Sequence, residues 1–234
     1  MKNSSVAIVV PAKVISKRLP SKNLLCLGGK FGNKTLVEIA VDRSLESGLG
    51  MVVVSSDGHG VLRQARIYST AEVYFMKRSN GLNEGTSRAW EVCLDSVDRL
   101  QLKCNMKVTT VVMTLPTSPF CSAEDLINAV DLFYKKDRRP VMSVKELNFN
   151  PATCATISND GVMWRRDGGS WGVLTVSERV YLSNGAVWVC DVEMLRKRKE
   201  QYIAGMVAYV MPEERSIDIN TQFDYSVASL LAQK

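Results

Sequence analysis

Four cations crowd one short segment of this sequence: Lys13, Lys17, Arg18 and Lys22 all lie within Pro11–Asn23. The segment directly follows Val6–Val10, an apolar run with the character of a buried strand. Cations on a loop above a strand end can neutralise a triphosphate. They can also stabilise charge as it shifts onto a leaving pyrophosphate. Arginine offers a planar fork to two phosphate oxygens, whereas lysine is a movable point charge. Pro20 stiffens the turn between the two cation groups. Asn23 both donates and accepts, which suits a base edge or a ribose. The segment is neither a G-x-x-x-x-G-K-[ST] loop nor a G-x-G-x-x-G turn. On composition alone, a solvated basic loop fits equally well.

The placement of charge sharpens the question. The chain has 234 residues and a net charge of +6. Lys2, Lys13, Lys17, Arg18, Lys22, Lys30 and Lys34 all precede the first acidic residue, Glu38, so the excess is concentrated at one end. Such a concentration points to a polyanionic small ligand or a nucleic acid. Two further basic runs, Lys135–Arg139 and Arg196–Lys199, sit where helix C-termini are expected and cations favour the helix dipole. No aromatic-rich RNA-binding run accompanies them. Six scattered cysteines form no C-x-x-C pair and there is one histidine, His59, which argues against zinc and for reduced thiols. No apolar run approaches the roughly 18–20 residues of a membrane span, and no signal-peptide pattern opens the chain. A cytoplasmic protein is expected.

The elements that must position the loop follow from periodicity. Strand-like runs at Val6–Pro11, Met51–Ser56, Val73–Met76, Thr109–Leu115 and Pro140–Val144 alternate with helix-like runs at Thr35–Ser47, Val61–Tyr68 and Thr86–Leu100. Ser122 to Asp125 has capping-box character and opens a helix with Leu126, Val130, Phe133 and Tyr134 facing inward. This alternation predicts an α/β fold with a doubly wound, mostly parallel sheet and ligands at the strand ends. Residues 147–182 break the pattern and read as an extended excursion, a hairpin arm inserted in a single domain. Strand Gly185–Cys190, helix Val192–Glu200, strand Val207–Met211 and a last helix from about Gln222 to Leu231 complete the chain.

The run P-A-K-V-I-S-K-R-L-P-S-K-N at 11–23 resembles the P-A-R-x-G-S-K-R-x-P-x-K-N signature of the CMP-sugar-acid synthetases. These are the CMP-N-acylneuraminate cytidylyltransferases and their relatives for pseudaminic, legionaminic and ketodeoxyoctonic (KDO) acids. The likeness continues, in family order, through Leu27–Lys30, Val53–Asp57, Leu115–Pro119, Asn184–Trp188 and Ser216–Asn220.

The resemblance implies a Rossmann-like nucleotidyltransferase that joins a sugar acid to the α-phosphate of CTP, with Mg²⁺ as cofactor. It assigns Lys13, Ser16, Lys17, Arg18, Lys22 and Asn23 to the phosphates and cytosine, with Lys17, Lys22 and Asp218 catalytic. Arg78 would lie near the nucleotide. Glu84–Arg88 is closer to the KDO branch, with Thr86 capping a helix at the pocket and Arg88 reaching a phosphate or the base. Leu115, Pro116, Thr117 and Ser118 would border cytidine and sugar acid. Asn184 and Gly185 would lie near the sugar, and Arg179 would pair with its carboxylate. Asp218 and Asn220 would hold the metal. Residues 147–182 match a dimerisation arm, with Trp164 and Trp171 as interface anchors, so a homodimer is expected.

The departures carry expectations of their own. Ile15 stands for a family Gly, so the loop must bend differently. Lys13 for Arg keeps charge but loses bidentate geometry. Leu115 for Gln removes an amide and alters sugar preference. Asn220 for Asp removes a negative charge, weakening metal affinity or shifting the demand to Asp57. Three rivals follow: a nucleotidyltransferase using another base or sugar, a nucleotide-binding homologue without transfer, and a nucleic-acid binder.

Overall fold

The computed structural model describes residues 5–14, 16, 18–65, 72–79, 81–82, 88–149, 154–165 and 179–234. Its centre is a seven-stranded sheet. The strands are β1 (Val6–Pro11), β4 (Met51–Ser56), β5 (Val73–Lys77), β6 (Thr110–Thr114), β7 (Val141–Glu146), β10 (Tyr181–Asp191) and β11 (Val207–Val210). Between them come the short strands β2 (Cys26–Leu27), β3 (Lys34–Thr35), β8 (Ala155–Ile157) and β9 (Met163–Arg165). The large sheet runs β11-β7-β10-β6-β1-β4-β5. Only β10 is reversed, pairing antiparallel with both β6 and β7. The expected mostly parallel α/β sheet is therefore the fold.

Alternation in β1 shows how the sequence builds two core layers. Val6, Ile8 and Val10 face one side, under helices α1 (Leu36–Glu46), α2 (His59–Ala65) and α4 (Ala123–Lys135). Ala7 and Val9 face the other, under α3 (Ala89–Cys104) and α5 (Val192–Arg198). A strand covered on both faces must be apolar throughout, which is why Val6–Val10 carries no polar residue.

Helix starts are set by side-chain caps. Thr35 caps α1 and Ser122 caps α4, each in a capping box with Glu38 and Asp125 respectively. Helix α3 starts later than expected. Its first residue is Ala89 and Arg88 is the N-cap, with the Arg88 N–H donating to Glu91 at 2.7 Å. Thr86, the expected cap, lies outside the described residues. Tyr134 does not face inward as expected; it is 40 % exposed, with its hydroxyl 3.1 Å from Thr110 Oγ1. Strand β10 begins at Tyr181, four residues before the expected start. Its pairing with β7 shifts between Ser183 and Trp188, around Gly185 at φ +70°. Within 147–182, β8 and β9 form an antiparallel hairpin, while residues 150–153 and 166–178, Trp171 among them, lie outside the described residues.

A third, smaller core fixes the distant ends of the chain to each other. Leu19 from the basic loop, Leu27, Leu36 and Ile39 pack with Ile219, and with Ala228 of helix α6 (Gln222–Leu231). The Tyr225 hydroxyl donates to the Cys26 carbonyl at 2.7 Å. The Lys30 N–H donates to the Ala232 carbonyl at 2.9 Å. Ile219 is fully buried among these residues. Truncating Ile219 to Ala is expected to cost about 2–5 kcal/mol of stability, the range for large-to-small core changes. Urea denaturation measures this, and a loss below about 1 kcal/mol would show that Ile219 is not holding the two ends together.

Candidate active site

The C-terminal ends of β1, β4 and β6 point their loops to one side of the sheet, where parallel α/β folds gather ligands. A cavity of about 210 Å³ opens there, with Lys13, Lys22, Asn23, Arg78, Leu115 and Thr117 in its wall.

The loop after β1 is folded back on itself. Asn23, almost fully buried, donates from Nδ2 to the Lys13 carbonyl at 2.7 Å. The Val14 N–H donates to Asp57 Oδ1 at 2.7 Å, pinning the loop to the end of β4. Gly58 makes that approach possible, because a Cβ there would come within 2.1 Å of Val14 Cγ2. Asp57 is thus tied to the loop backbone. Ser16 is half-buried, while Ile15 and Lys17 lie outside the described residues.

The loop's cations meet the far end of the chain. Arg18 Nη2 donates to Asn220 Oδ1 at 2.8 Å. Lys22 Nζ donates to the same oxygen at 3.2 Å and to the Ile219 carbonyl at 3.2 Å. Asn220 Nδ2 then donates to Asp218 Oδ2 at 2.5 Å. With Ile219 buried, extended-chain alternation turns both of its neighbours to the opposite side. Burial pulls the Lys22 pKa down, as do Arg18 and Lys13, while Asp218 and Asp224 work against the fall. Burial disfavours ionisation of Asp224, but hydrogen bonds from Thr221 and the Asn220 backbone outweigh it and hold that carboxyl below its usual range. Asp224 thereby caps α6 and fixes the backbone of Asn220 at 3.0 Å.

Two groups at the site have spare capacity for a ligand. Arg78 is 8 % exposed in the cavity wall and its Nε–H has no acceptor. Burial lowers its pKa, opposed chiefly by Asp57. Asp218 Oδ1 is buried without a partner among the described residues. A hard, unpartnered carboxylate oxygen fits one coordination position of Mg²⁺, which is commonly held by one or two carboxylates together with substrate phosphates. Asn220 does not fit the ligand role expected for it, because its oxygen already accepts from two cations. Among the described residues no group of three or more His, Cys, Asp or Glu could hold a metal ion.

The 115–118 turn closes the site. The Ile219 N–H donates to the Thr117 carbonyl at 2.8 Å, so the 218–220 segment is bonded directly to the turn. Arg43 of α1 donates to the Leu115 and Ser118 carbonyls at 2.5 Å each. Sequence reasoning passed over Arg43. The available signal was a cation on the buried stripe Leu36–Ala40–Arg43 of α1. Pro116 and Ser118 are buried, and Ser118 Oγ has no partner. Leu115 Cδ1 lies 3.2 Å from where a Cβ on Gly185 would be, so Gly185 does border the turn.

Three expected site residues stand elsewhere. Asn184 is buried and its amide is fully engaged by the protein: Oδ1 accepts from Ser143 at 2.6 Å and from the Ala186 N–H at 3.2 Å, while Nδ2 donates to Ser216 at 2.9 Å. It ties β10 to β7 and to the chain leading into Asp218, which is a framework role. Arg179 is exposed and pairs with Glu146 at 3.7 Å beside the start of β10. Arg88 is exposed at the start of α3 and is not in the cavity wall. In the two other basic runs, Arg138 pairs with Asp191 and Arg196 with Asp98.

Comparison with known proteins agrees with this geometry. The sequence profile of the cytidylyltransferase family matches residues 7–165. CMP-N,N'-diacetyllegionaminic acid synthase of Legionella pneumophila is 26% identical over 231 residues, covering 97% of this chain and 96% of that protein. N-acylneuraminate cytidylyltransferase of Streptococcus agalactiae is 24% identical over 221 residues, and there the match spans only 51% of the relative. The solved structure of CMP:2-keto-3-deoxy-manno-octonic acid synthetase complexed with CTP superposes with a TM-score of 0.69 at 15% identity, covering 98% of this chain and 99% of that one. Fold and sequence together define a nucleotidyltransferase. Within that class the chain belongs to the cytidylyltransferase family.

Replacing Asn184 by Ala leaves the Ser143 and Ser216 hydroxyls without their partner, at an expected cost of about 1–3 kcal/mol. Its framework role predicts a lower melting temperature with nucleotide affinity kept within about twofold, against roughly tenfold or more for a ligand contact. Weakened nucleotide binding at unchanged stability would return Asn184 to the binding site.

Proposed function

We propose that the chain transfers CMP from CTP to the anomeric hydroxyl of a sialic-acid-like 2-keto-3-deoxy sugar acid, releasing pyrophosphate. The observation that carries this reading is the meeting of Arg18 and Lys22 with Asn220 and Asp218 at the edge of the strand-end cavity. The names of the Legionella and Streptococcus relatives support the substrate class.

In this reading the sugar hydroxyl oxygen bonds to the α-phosphorus, the bond from that phosphorus to the bridging oxygen breaks, and the hydroxyl proton is released. Charge then moves onto pyrophosphate. Lys13, Arg18, Lys22 and Arg78 bind the phosphates and bear that charge, which stabilises the leaving pyrophosphate. Lys22 must exchange its bonds to Ile219 and Asn220 for phosphate oxygens. Asp218 would hold Mg²⁺ through Oδ1, and the ion, when bound, neutralises phosphate charge. Leu115 and Gly185 form the apolar edge of the sugar end. Leucine there offers no hydrogen bond, which favours a substrate presenting an apolar group at that place.

The deciding measurement is pyrophosphate release from CTP with Mg²⁺ across neuraminic, legionaminic, pseudaminic and ketodeoxyoctonic acids, with ATP, GTP and UTP as controls. CTP-dependent release with one of the nine-carbon acids is expected. CTP binding without release from any acid would establish a binding homologue instead. Lys22→Ala is expected to lower turnover at least about 100-fold while leaving the melting temperature near that of the parent. Near-normal turnover would remove Lys22 from the mechanism.

A homodimer is part of the proposal. Ile157 and Met163, paired across the β8–β9 hairpin, are each more than half exposed, as is Leu182 at the start of β10, and exposed apolar side chains of this kind suit a partner. Sedimentation at micromolar concentration is expected to give a dimer, and replacing Ile157 and Met163 together by Asp is expected to give a folded monomer. A parent chain that sediments only as monomer would end this part.

A further inference from the structure

A second cavity, of about 300 Å³, lies on the α1–α4 side of the sheet, and the reaction above does not use it. Its wall combines an aromatic pair with cations. Phe31 and Phe120 meet edge to face with centroids 5.4 Å apart, and Lys30 Nζ stands 4.8 Å from the Phe120 centroid. Arg43 also lines this cavity. Arg43 as a residue is 3 % exposed, and among the described residues it has no ion-pair partner and its Nε–H no acceptor. Burial lowers its pKa, opposed by Cys121 and Asp125. Lys34 and Asp42, at the same wall, pair with each other at 2.7 Å. The remaining wall charges are Lys30 and Arg43 against Glu46. Helix α4 brings its positive end to the wall at Ser122 and Ala123, and the nearby Asp125 is already neutralised by Arg215 at 3.1 Å.

A buried cation bonded only to carbonyl oxygens is an unfavourable arrangement that an anion would relieve. Beside it, Phe31 and Phe120, set edge to face, offer an apolar corner that can take the face or the edge of one ring. We infer that this cavity binds a small carboxylate carrying a flat apolar ring, with the carboxylate drawn to Arg43 and Lys30 and the ring against Phe31 and Phe120. Arg43 makes the site more than a passive pocket. Its other two donors hold the Leu115 and Ser118 carbonyls, and the turn between them lines the nucleotide cavity. An anion drawn to the Arg43 side chain therefore acts on the geometry of Pro116 and Thr117, coupling the two cavities.

Isothermal titration of the full chain with benzoate tests the site without any nucleotide, so it stands apart from the assignment of CTP. Saturable one-to-one binding is expected, with neutral benzamide weaker by about tenfold or more. Phe120→Ala and Lys30→Met are each expected to weaken benzoate by about fivefold or more. Lys30 is exposed, so that variant keeps the test decisive should Phe120→Ala fail to fold. Saturating benzoate is expected to change the CTP dissociation constant by about two- to fivefold, and CTP to change that of benzoate by the same factor. Absence of saturable binding, equal affinity for benzamide, or benzoate affinity untouched by Lys30→Met overturns the site. Unchanged or absent CTP binding overturns the coupling.

Discussion

Like charges held side by side repel, and the end of the sheet that carries the nucleotide site is arranged around that fact. Arg18 and Lys22 reach the same oxygen, Asn220 Oδ1, so the bonded nitrogens are at most about 6 Å apart. Two unit charges at that distance in an effective dielectric of about 20 repel by about 3 kcal/mol. Arg18 is exposed, so solvent screening reduces the figure, but the sign stands. Burial of Lys22 adds to the strain on its charge. A loop of this kind keeps its shape only if something else holds it.

What holds it is a set of apolar contacts and of hydrogen bonds to backbone groups. Leu19 and Ile219 bury themselves in the same small core, which fixes the loop to a segment some 200 residues away in sequence. The backbone of Ile219 is bonded to Thr117, and Arg43 holds the two carbonyls on either side of that residue. Asp57 holds the loop from the β4 side. Each polar group at the site is therefore positioned by an apolar or backbone contact next to it in the chain. This separates the work of folding from the work of binding. The cations and Asp218 Oδ1 keep their capacity for a ligand because the framework does not depend on them.

The sheet and its helices were legible in the sequence because periodicity reports burial directly. Val6–Pro11 and Thr109–Leu115 read as buried strands, observed at Val6–Pro11 and Thr110–Thr114, and Ser122 to Asp125 read as a helix start for a stated chemical reason. The pairing of the early basic loop with Asp218 was also foreseen, from the order of motifs rather than from any local signal. Other features depend on tertiary contacts that no local pattern encodes. Asn184 looks like a ligand-binding amide until Ser143, Ala186 and Ser216 are seen to satisfy it. Arg43 looks like one more surface arginine until its stripe on α1 is seen to be buried. Arg88 and Arg179 were placed by motif position, yet both are exposed and neither lines the cavity.

The amide at position 220 shows why a neutral residue can serve where a charge was expected. Its oxygen accepts from two cations and its nitrogen donates to Asp218 across 2.5 Å, so one side chain joins groups of opposite sign. A carboxylate in the same place would accept from both cations but would face Asp218 with no proton to share. Two carboxylates that close cannot both stay ionised without a cation between them. Asparagine satisfies all three groups with no such cation. In the reading proposed above, a triphosphate would bring its own negative charge to the same two cations and compete with the amide oxygen for them. The amide thus joins the basic loop to the 218–220 segment without adding a charge of its own.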